Sequence, residues 1–372
     1  MRLGDTTEQA RFRATLRDWL SAHVPLGTPG TWAPEQLSRW SSAMHEAGYA
    51  GLTWPEQYGG RGLTPAYQAI FAEECARAGA PDHLNVIGLN MVGPTLIHFG
   101  TPAQQGEHLP RILSGESVFC QGFSEPDAGS DLAAVRTRAT AEPGGYRISG
   151  EKVWSSYAHL ADHCLLLART ADGEPRHRGL TCFLLDMRSP GVTVRPLRQL
   201  TGASDFNQIL LDDVLVPDGA VLGPAGEGWR VAMTTLAHER GTFGITLTAR
   251  LAAELDRLVA TVHEAGAAGD PLVRREVAEL HVELQGLRYT GYRALAALEQ
   301  TGTPGPESSV IKLRWSLANQ RLTALATRLH GARDDYWRQQ RLSSRTNTIE
   351  GGTSEILRGI IAERVLALPR SR

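Results

Sequence analysis

The sequence predicts an α+β protein in three parts. These are an N-terminal helical domain over residues 1–117, a middle β-barrel domain over 118–222 and a C-terminal four-helix bundle over 223–372. Three observations carry that reading. Apolar residues recur at helical spacing up to about residue 117. From Val118 the pattern shortens to β-rich runs broken by Gly, Pro and Asp. From Gly226 onward long segments with broad apolar faces return, as an up-down bundle requires.

In the first domain, "TEQARFRATLRDWLSAHV" sets Phe12, Leu16, Trp19 and Leu20 on one stripe. "EQLSRWSSAMHEAGYAG" follows and ends at Gly48, a C-terminal cap. "TPAYQAIFAEECARAG" starts at Thr64 and Pro65 and closes at Gly79, and "TPAQQGEHLPRILSG" is a shorter helix. The middle domain reads as the strands "GGYRISGEKVW", "HCLLLART", "TCFLLDM", "GVTVRPL" and "FNQILLDDVLVP". Turn signals at Gly144-Gly145 and Ala171-Asp172-Gly173 separate them. Four helical segments make the bundle, opening at "GWRVAM", "PLVRRE", "SSVIKL" and "TSEILRG".

Composition narrows the function classes. A chain of 372 residues buries about 75% of its unfolded surface, enough for two or three domains. With 38 basic and 40 acidic residues the net charge is −2, so no global field favours nucleic acid or an anionic membrane. Only Lys152 and Lys312 are lysines. The arginine excess, beside so much Ala and Gly, reads as GC-rich coding rather than a binding surface. Cys75, Cys120, Cys164 and Cys182 show no metal or CxxC spacing, and no apolar leader precedes them, so a reduced cytoplasmic chain is expected. No run reaches the ~18 apolar residues of a membrane span. "HLADH" places His159 and His163 four apart without the glutamate of a zinc-protease helix, so packing or surface histidines are expected and no metal.

Two segments carry candidate chemistry. In "FCQGFSEPDAGSDL" a short apolar strand runs into Ser124, a Glu-Pro turn and Gly129-Ser130. Gly129 permits close approach of a ligand, and the serines offer hydroxyls to a polar heterocycle or a chain amide. In "SGEKVWSSYAHLADH", Trp154 ends a β-run before Ser155 and Ser156, which could set a flat ring beside a donor. Taken singly, these also read as a strand-turn-strand corner and a core tryptophan.

In order, "GFSEPDAGSD", "EKVWSS", "DDVLVP…GEGWRVAM…ER" and "TIEGGTSEI…AERVLALP" resemble the acyl-CoA dehydrogenase family. "WPEQYGGRGLTPAYQAIFAEECARAG" and "HFGTPAQQGEHLPRILSGE" extend the resemblance over essentially the whole chain. The pattern looks like the family's actinobacterial-type members. The resemblance implies the same three-part fold, with FAD between barrel and bundle and an acyl-CoA entering from the other side. Phe123 and Ser124 would meet the pyrimidine side of the flavin, Trp154 would flank the isoalloxazine, and Ser156 would stand where a threonine usually donates to N5. Ser130 would meet the pantetheine arm, and Thr353 would lie near the FAD phosphates at a helix N-terminus. An electron-transfer flavoprotein or similar acceptor, and a homo- or hetero-oligomer (dimer or tetramer), are implied as partners.

The family's reaction removes an α-proton from a thioester with a carboxylate while the β-hydrogen leaves as hydride. Most members carry that glutamate directly before the Gly-Thr of the C-terminal motif, where this chain has Gly351. Isovaleryl- and long-chain acyl-CoA dehydrogenases place it on a bundle helix before an arginine. Here "LAHERGTFG" supplies Glu239 followed by Arg240. Glu239 is therefore the expected base and Glu350 the fallback. The Gly351 backbone N–H would help hold the thioester oxygen, and Arg240 would order the loop or the CoA entrance. The segments "DPLVRREVAEL" and "RLHGARD" depart from the family's Arg-x-Phe-Gly and glycine-rich FAD contacts, although Gly331 survives. A partner subunit could supply them. The alternatives to an active dehydrogenase are a non-catalytic or flavin-binding subunit of a heterotetramer, or a relative repurposed as oxidase, monooxygenase or carrier-protein enzyme.

Overall fold

The computed structural model describes residues 4–25, 27, 32–173, 175–301, 305–330 and 334–369; the side chains of 239–243 and 301 lie outside that description. The helices before the sheet are α1 (Thr7–His23), α2 (Pro34–Glu46), α3 (Pro65–Ala78), α4 (Gly93–Phe99) and α5 (Pro102–Ser114). The strands are β1 (Phe119–Gly122), β2 (Arg138–Glu142), β3 (Gly145–Ser156), β4 (His163–Arg169), β5 (Leu180–Asp186), β6 (Val192–Leu197), β7 (Phe206–Pro217) and β8 (Val221–Leu222). Helices α6 (Gly228–Glu264), α7 (Pro271–Thr301), α8 (Glu307–His330), α9 (Asp335–Ser343) and α10 (Ser354–Ile360) follow. The chain packs as two units. One comprises Met1–Gly30, Leu63–Pro81 and Arg240–Arg372; the other comprises Thr31–Gly62 and Asp82–Glu239.

The second unit is organised by a sheet in the order β6-β7-β3-β2-β4-β5-β8, with β1 parallel to β4. β4 and β5 read as continuous apolar runs because both faces of the sheet are covered there. Leu165 and Leu167 join a core with Val92, Leu96, Leu109 and Val231. Their alternate neighbours Cys164, Leu166 and Ala168 join another with Ile148, Ile209 and Val214. Strands β3 and β7 pair antiparallel from Gly145↔Pro217 to Ser156↔Phe206, and the register shifts between Lys152 and Ser155. That irregularity falls at Trp154.

Three elements of this unit were not legible in the pattern. β2 is "RATAE", whose charged ends hide its two-residue alternation, and β8 is two residues long. α4 follows a π-helical turn, Gly88–Val92, in a Gly- and Pro-rich stretch. Gly93 is required there, since a Cβ would sit 2.1 Å from the Trp54 ring.

In the first unit, α1 and α3 are joined through Glu74, which is 1% exposed and bound by Arg13 and Arg17 at 2.6 Å each. The long helices α6, α7 and α8 bury Leu258, Leu284, Trp315 and Leu322 in one core. Where a long final helix was expected after Thr353, α10 has seven residues and passes into a π-helical turn at Ile361–Val365. The unanticipated α9 buries Trp337 alone, so it carries no apolar stripe. Trp337 holds it by burial and by donating its indole N–H to Thr261 Oγ1 at 3.0 Å. No helix among the described residues is long and apolar enough to cross a membrane.

Candidate active site

In the β-containing unit the two motif segments lie side by side. The Ser124 carbonyl accepts the Val153 N–H at 2.9 Å, tying the loop after β1 to the end of β3. Beneath that junction is a buried ion pair. Lys152, fully buried, donates from Nζ to Glu125 Oε1 at 2.8 Å and to the Phe123 carbonyl at 3.1 Å. The Glu125 carboxylate also accepts the backbone N–H groups of Arg136 at 2.6 Å and Thr137 at 2.8 Å. Burial pushes this carboxyl upward, but the Lys152 charge and the donors outweigh it and hold its pKa below the ordinary value. The glutamate of "SEPDAGSD" is thus a tether that closes the loop on itself.

Trp154 stands above this tether with a left-handed backbone, φ 62°, and its side chain is 62% exposed. A bulky residue in that region costs on the order of 1–3 kcal/mol, and such strain gathers at ligand sites. The Phe206 ring supports the indole edge-on at 6.2 Å between centroids. The hydroxyls of Ser124 and Ser156 make no hydrogen bond among the described residues. Deeper in the same unit, Ser155 Oγ and Gln121 Nε2 are buried without a partner. An exposed aromatic ring in the same unit as two uncommitted hydroxyls, those of Ser124 and Ser156, fits the flat, polar-edged ring of FAD. Ser130, on the outer part of the loop, is exposed. His159 and His163 bind separately, to Asn207 at 2.9 Å and Ser117 at 3.0 Å.

The helical unit holds the other motif. Thr346–Thr348 makes a short 3₁₀ turn, and Gly351 and Gly352 follow at φ 59° and 101°. Thr353 caps α10, its hydroxyl accepting the Ile356 N–H at 3.2 Å. The turn is clamped from α8 by Lys312, 3% exposed, which donates to the carbonyls of Asn347 at 2.5 Å and Gly352 at 3.1 Å. Ser316 adds a bond to the Asn347 carbonyl at 2.6 Å, and Asn319 holds the Asn347 side chain at 2.8 Å. The Glu350 carboxylate folds back onto its own turn, accepting from Asn347 Nδ2 at 2.9 Å and Thr346 Oγ1 at 3.2 Å.

Glu239 and Arg240 belong to α6 by their backbone, but their side chains lie outside the described residues, as does Gly331. The helix just before Glu239 is partly buried. Thr235 is fully buried and meets Thr95 of α4 at 3.0 Å. Burial, aided by the charge of His98, lowers the pKa of His238. The segment "DPLVRREVAEL" forms the first turns of α7, capped by Asp270 on the Leu272 N–H at 2.7 Å. Sequence reasoning missed Glu125, Lys152, Lys312 and Asn347. A signal existed for two of them, since the chain keeps lysine at only these two positions.

The match of all three domains to one enzyme family makes the chain a flavin-dependent oxidoreductase acting on a CH–CH bond. The chain belongs to the acyl-CoA dehydrogenase family. Its N-terminal, middle and C-terminal domain models match residues 6–116, 120–214 and 226–366. The acyl-CoA dehydrogenase IpdE1 of Mycobacterium tuberculosis is 42% identical over 378 residues, covering 96% of this chain and 97% of that protein. Among solved structures, the Tcur3481-Tcur3483 steroid ACAD superposes with a TM-score of 0.88 at 29% identity, covering all of both chains. The ChsE4-ChsE5 complex from Mycobacterium tuberculosis superposes at 0.87 with 27% identity, again over all of both. Family members hold FAD.

Proposed function

We propose that this acyl-CoA dehydrogenase takes a bulky, steroid-type acyl-CoA and desaturates it between Cα and Cβ, using Glu239 as the base. The observation that carries the choice of base is the turn at 346–353. Position 351 offers no carboxylate, and the Glu350 carboxylate is occupied by Asn347 and Thr346. That leaves the Glu239-Arg240 pair on α6, in the stretch that follows the buried Thr235. A carboxylate in a desolvated setting has a raised pKa and is an effective base for a weakly acidic α-proton. The Gly351 N–H would polarise the thioester carbonyl, where the enolate charge develops. FAD supplies the hydride acceptor. Phe123 and Ser124 would bind one edge of its ring, Trp154 would shield a face from water, and Ser156 would donate to its central nitrogen. Ser130 would orient the pantetheine arm, Thr353 and the N-terminal amides of α10 would meet the cofactor's phosphates, and Arg240 would order the loop or the CoA entrance.

Anaerobic titration with a panel of acyl-CoA thioesters tests the reading: a steroid-type thioester should bleach the flavin, and short straight chains should do so poorly. Glu239→Gln should retain flavin and lose at least about 10²-fold in turnover, the scale of a lost general base. Near-full activity in that variant would transfer the role to Glu350. A second reading, a flavin-binding subunit completed by a homologous partner, is favoured by the α7 sequence "DPLVRREVAEL", which lacks the family's Arg-x-Phe-Gly contact. The same titration, repeated with a co-purifying homologue, separates the two.

A further inference from the structure

The helix that leads into the glycine turn is tied to α6 by its first residues. α9 has nine residues and runs through Ser344 and Arg345 into the 3₁₀ turn at Thr346–Thr348. It buries one side chain, Trp337, so polar bonds carry much of its placement. Asp334 caps its start, accepting the Trp337 N–H at 3.2 Å. Trp337 reaches Thr261 of α6, and the neighbouring Tyr336 hydroxyl donates to Glu254 Oε1, also on α6. The Arg257 guanidinium lies over the Tyr336 ring, 4.5 Å from its centroid. The second carboxyl oxygen, Glu254 Oε2, is buried and meets no donor among the described residues. Arg250 and Arg257 on α6 and Asp334 beside Tyr336 are the charged groups acting on the pair. From α8 the core around Trp337 receives Leu322 and Leu325, while Arg328 pairs with Glu276 of α7 at 2.6 Å and His330 with Glu264 at 3.6 Å. The other end of α9 is pinned to α8. Arg341 donates to the Gln320 carbonyl at 2.9 Å, Gln320 Nε2 to the Ser344 carbonyl at 2.9 Å, and the Thr323 hydroxyl to Ser344 Oγ at 3.2 Å. A short helix released at its first turn pivots about the pinned end, and that end adjoins the turn carrying Gly351.

We propose that Glu254 is a positioning residue for the dehydrogenation, setting through Tyr336 the angle of α9 and with it the placement of the Gly351 N–H. The assignment rests on the reading that this N–H polarises the thioester carbonyl, and it adds a residue remote from the reacting atoms. Leaving a buried oxygen without a donor costs stability. An architectural contact alone would be as well served by an apolar side chain. Burial holds the Glu254 carboxyl above its ordinary 4.5, outweighing the lowering by the Tyr336 bond and by the Arg257 and Arg250 charges. Burial likewise pushes the Tyr336 phenol up, so Tyr336 remains the donor. Because the folded-state pKa of Glu254 is raised, its contribution is fully present below the ordinary value and is lost as pH rises through the higher, folded one. α9 is therefore held tightest while the carboxyl keeps its proton.

Flavin-loaded variants test this by hydrogen exchange and by anaerobic single-turnover reduction with an acyl-CoA that bleaches the unsubstituted protein. Glu254→Ala and Tyr336→Phe should each speed exchange of the 346–353 amides at least about tenfold. Each should also slow flavin reduction about tenfold, the cost of a reacting group set slightly out of place. Glu254→Gln keeps an acceptor for Tyr336 and should stay within about twofold on both readouts. The double variant Glu254→Ala/Tyr336→Phe should lose no more than either single one, since both break the same contact. The pH profile of the reduction rate should carry a falling step above the Glu254 pKa in the unsubstituted protein and lack it in Glu254→Gln. Unchanged exchange in Glu254→Ala, a Glu254→Gln as impaired as Glu254→Ala, or a falling step that survives in Glu254→Gln would each overturn the assignment. Faster exchange with an unchanged reduction rate would overturn it too, leaving an architectural contact. Should Glu254→Ala fail to load flavin, Tyr336→Phe, which removes a single oxygen, carries the same two readouts. An unsubstituted protein that no thioester bleaches would instead sink the dehydrogenase reading, while exchange would still report whether Glu254 governs the turn.

Discussion

The two motif loops are held by the same device in different surroundings. Below the ring-facing loop, the Lys152 ammonium meets a carboxylate and one carbonyl. Below the glycine turn, the Lys312 ammonium meets two carbonyls, one of them shared with Ser316. Both side chains are buried, and they are the chain's only lysines. A compact ammonium on a flexible stem can satisfy carbonyls that diverge, which a rigid planar guanidinium cannot do in the same space. The difference lies in what each clamp leaves behind when it is removed. Removing Lys152 strands a buried charge; among the described residues, removing Lys312 strands the carbonyls of Asn347 and Gly352.

That contrast can be broken by substitution. Lys152→Met should be the most damaging, because it leaves the Glu125 carboxylate buried and uncompensated. A loss of about 3–5 kcal/mol in chemical denaturation is expected, with flavin released. Adding Glu125→Gln to Lys152→Met should restore most of that stability, since the stranded charge is gone; a double variant as unstable as the single one would refute the ion-pair account. Lys312→Met should cost about 1–3 kcal/mol by the same measurement for the loss of its bonds to the Asn347 and Gly352 carbonyls, of which the Asn347 carbonyl keeps the Ser316 bond. Glu350→Gln retains the acceptor for Asn347, so turnover should change by less than about tenfold, in contrast with the general-base loss expected at Glu239.

Acid sharpens the comparison with the smallest effect. The folded-state pKa of Glu125 is depressed below the ordinary 4.5. Its contribution is therefore fully present above that value and is lost as pH falls through the lower, folded pKa. Flavin should leave the protein over that acid range in the unsubstituted chain, and the dependence should flatten in the Glu125→Gln/Lys152→Met variant. Absorbance of released flavin against pH reads the difference.

How much of this was legible depends on what each segment had to satisfy. "HCLLLAR" and "TCFLLD" announce themselves because both faces of β4 and β5 are covered. "RATAE" does not, since β2 buries one side chain of five, Ala139. α9 was silent for a related reason, having Trp337 as its one buried side chain. At the site, Trp154 and the serines were named from the motif, yet the motif says nothing of φ, and the left-handed backbone of Trp154 comes from the β3–β7 register shift. The scarcity of lysine was visible but read as coding bias, because a composition does not reveal which residues are buried.

The turn at Gly351 and Gly352 has an implication for descent. A side chain at 351 would have to accept left-handed geometry, at about 1–2 kcal/mol, beside a second glycine already at φ 101°. A chain with glycine there and the turn wound this way meets an uphill path to placing an acid at 351. Gly351→Glu should therefore yield a less stable protein rather than a proton acceptor at that position.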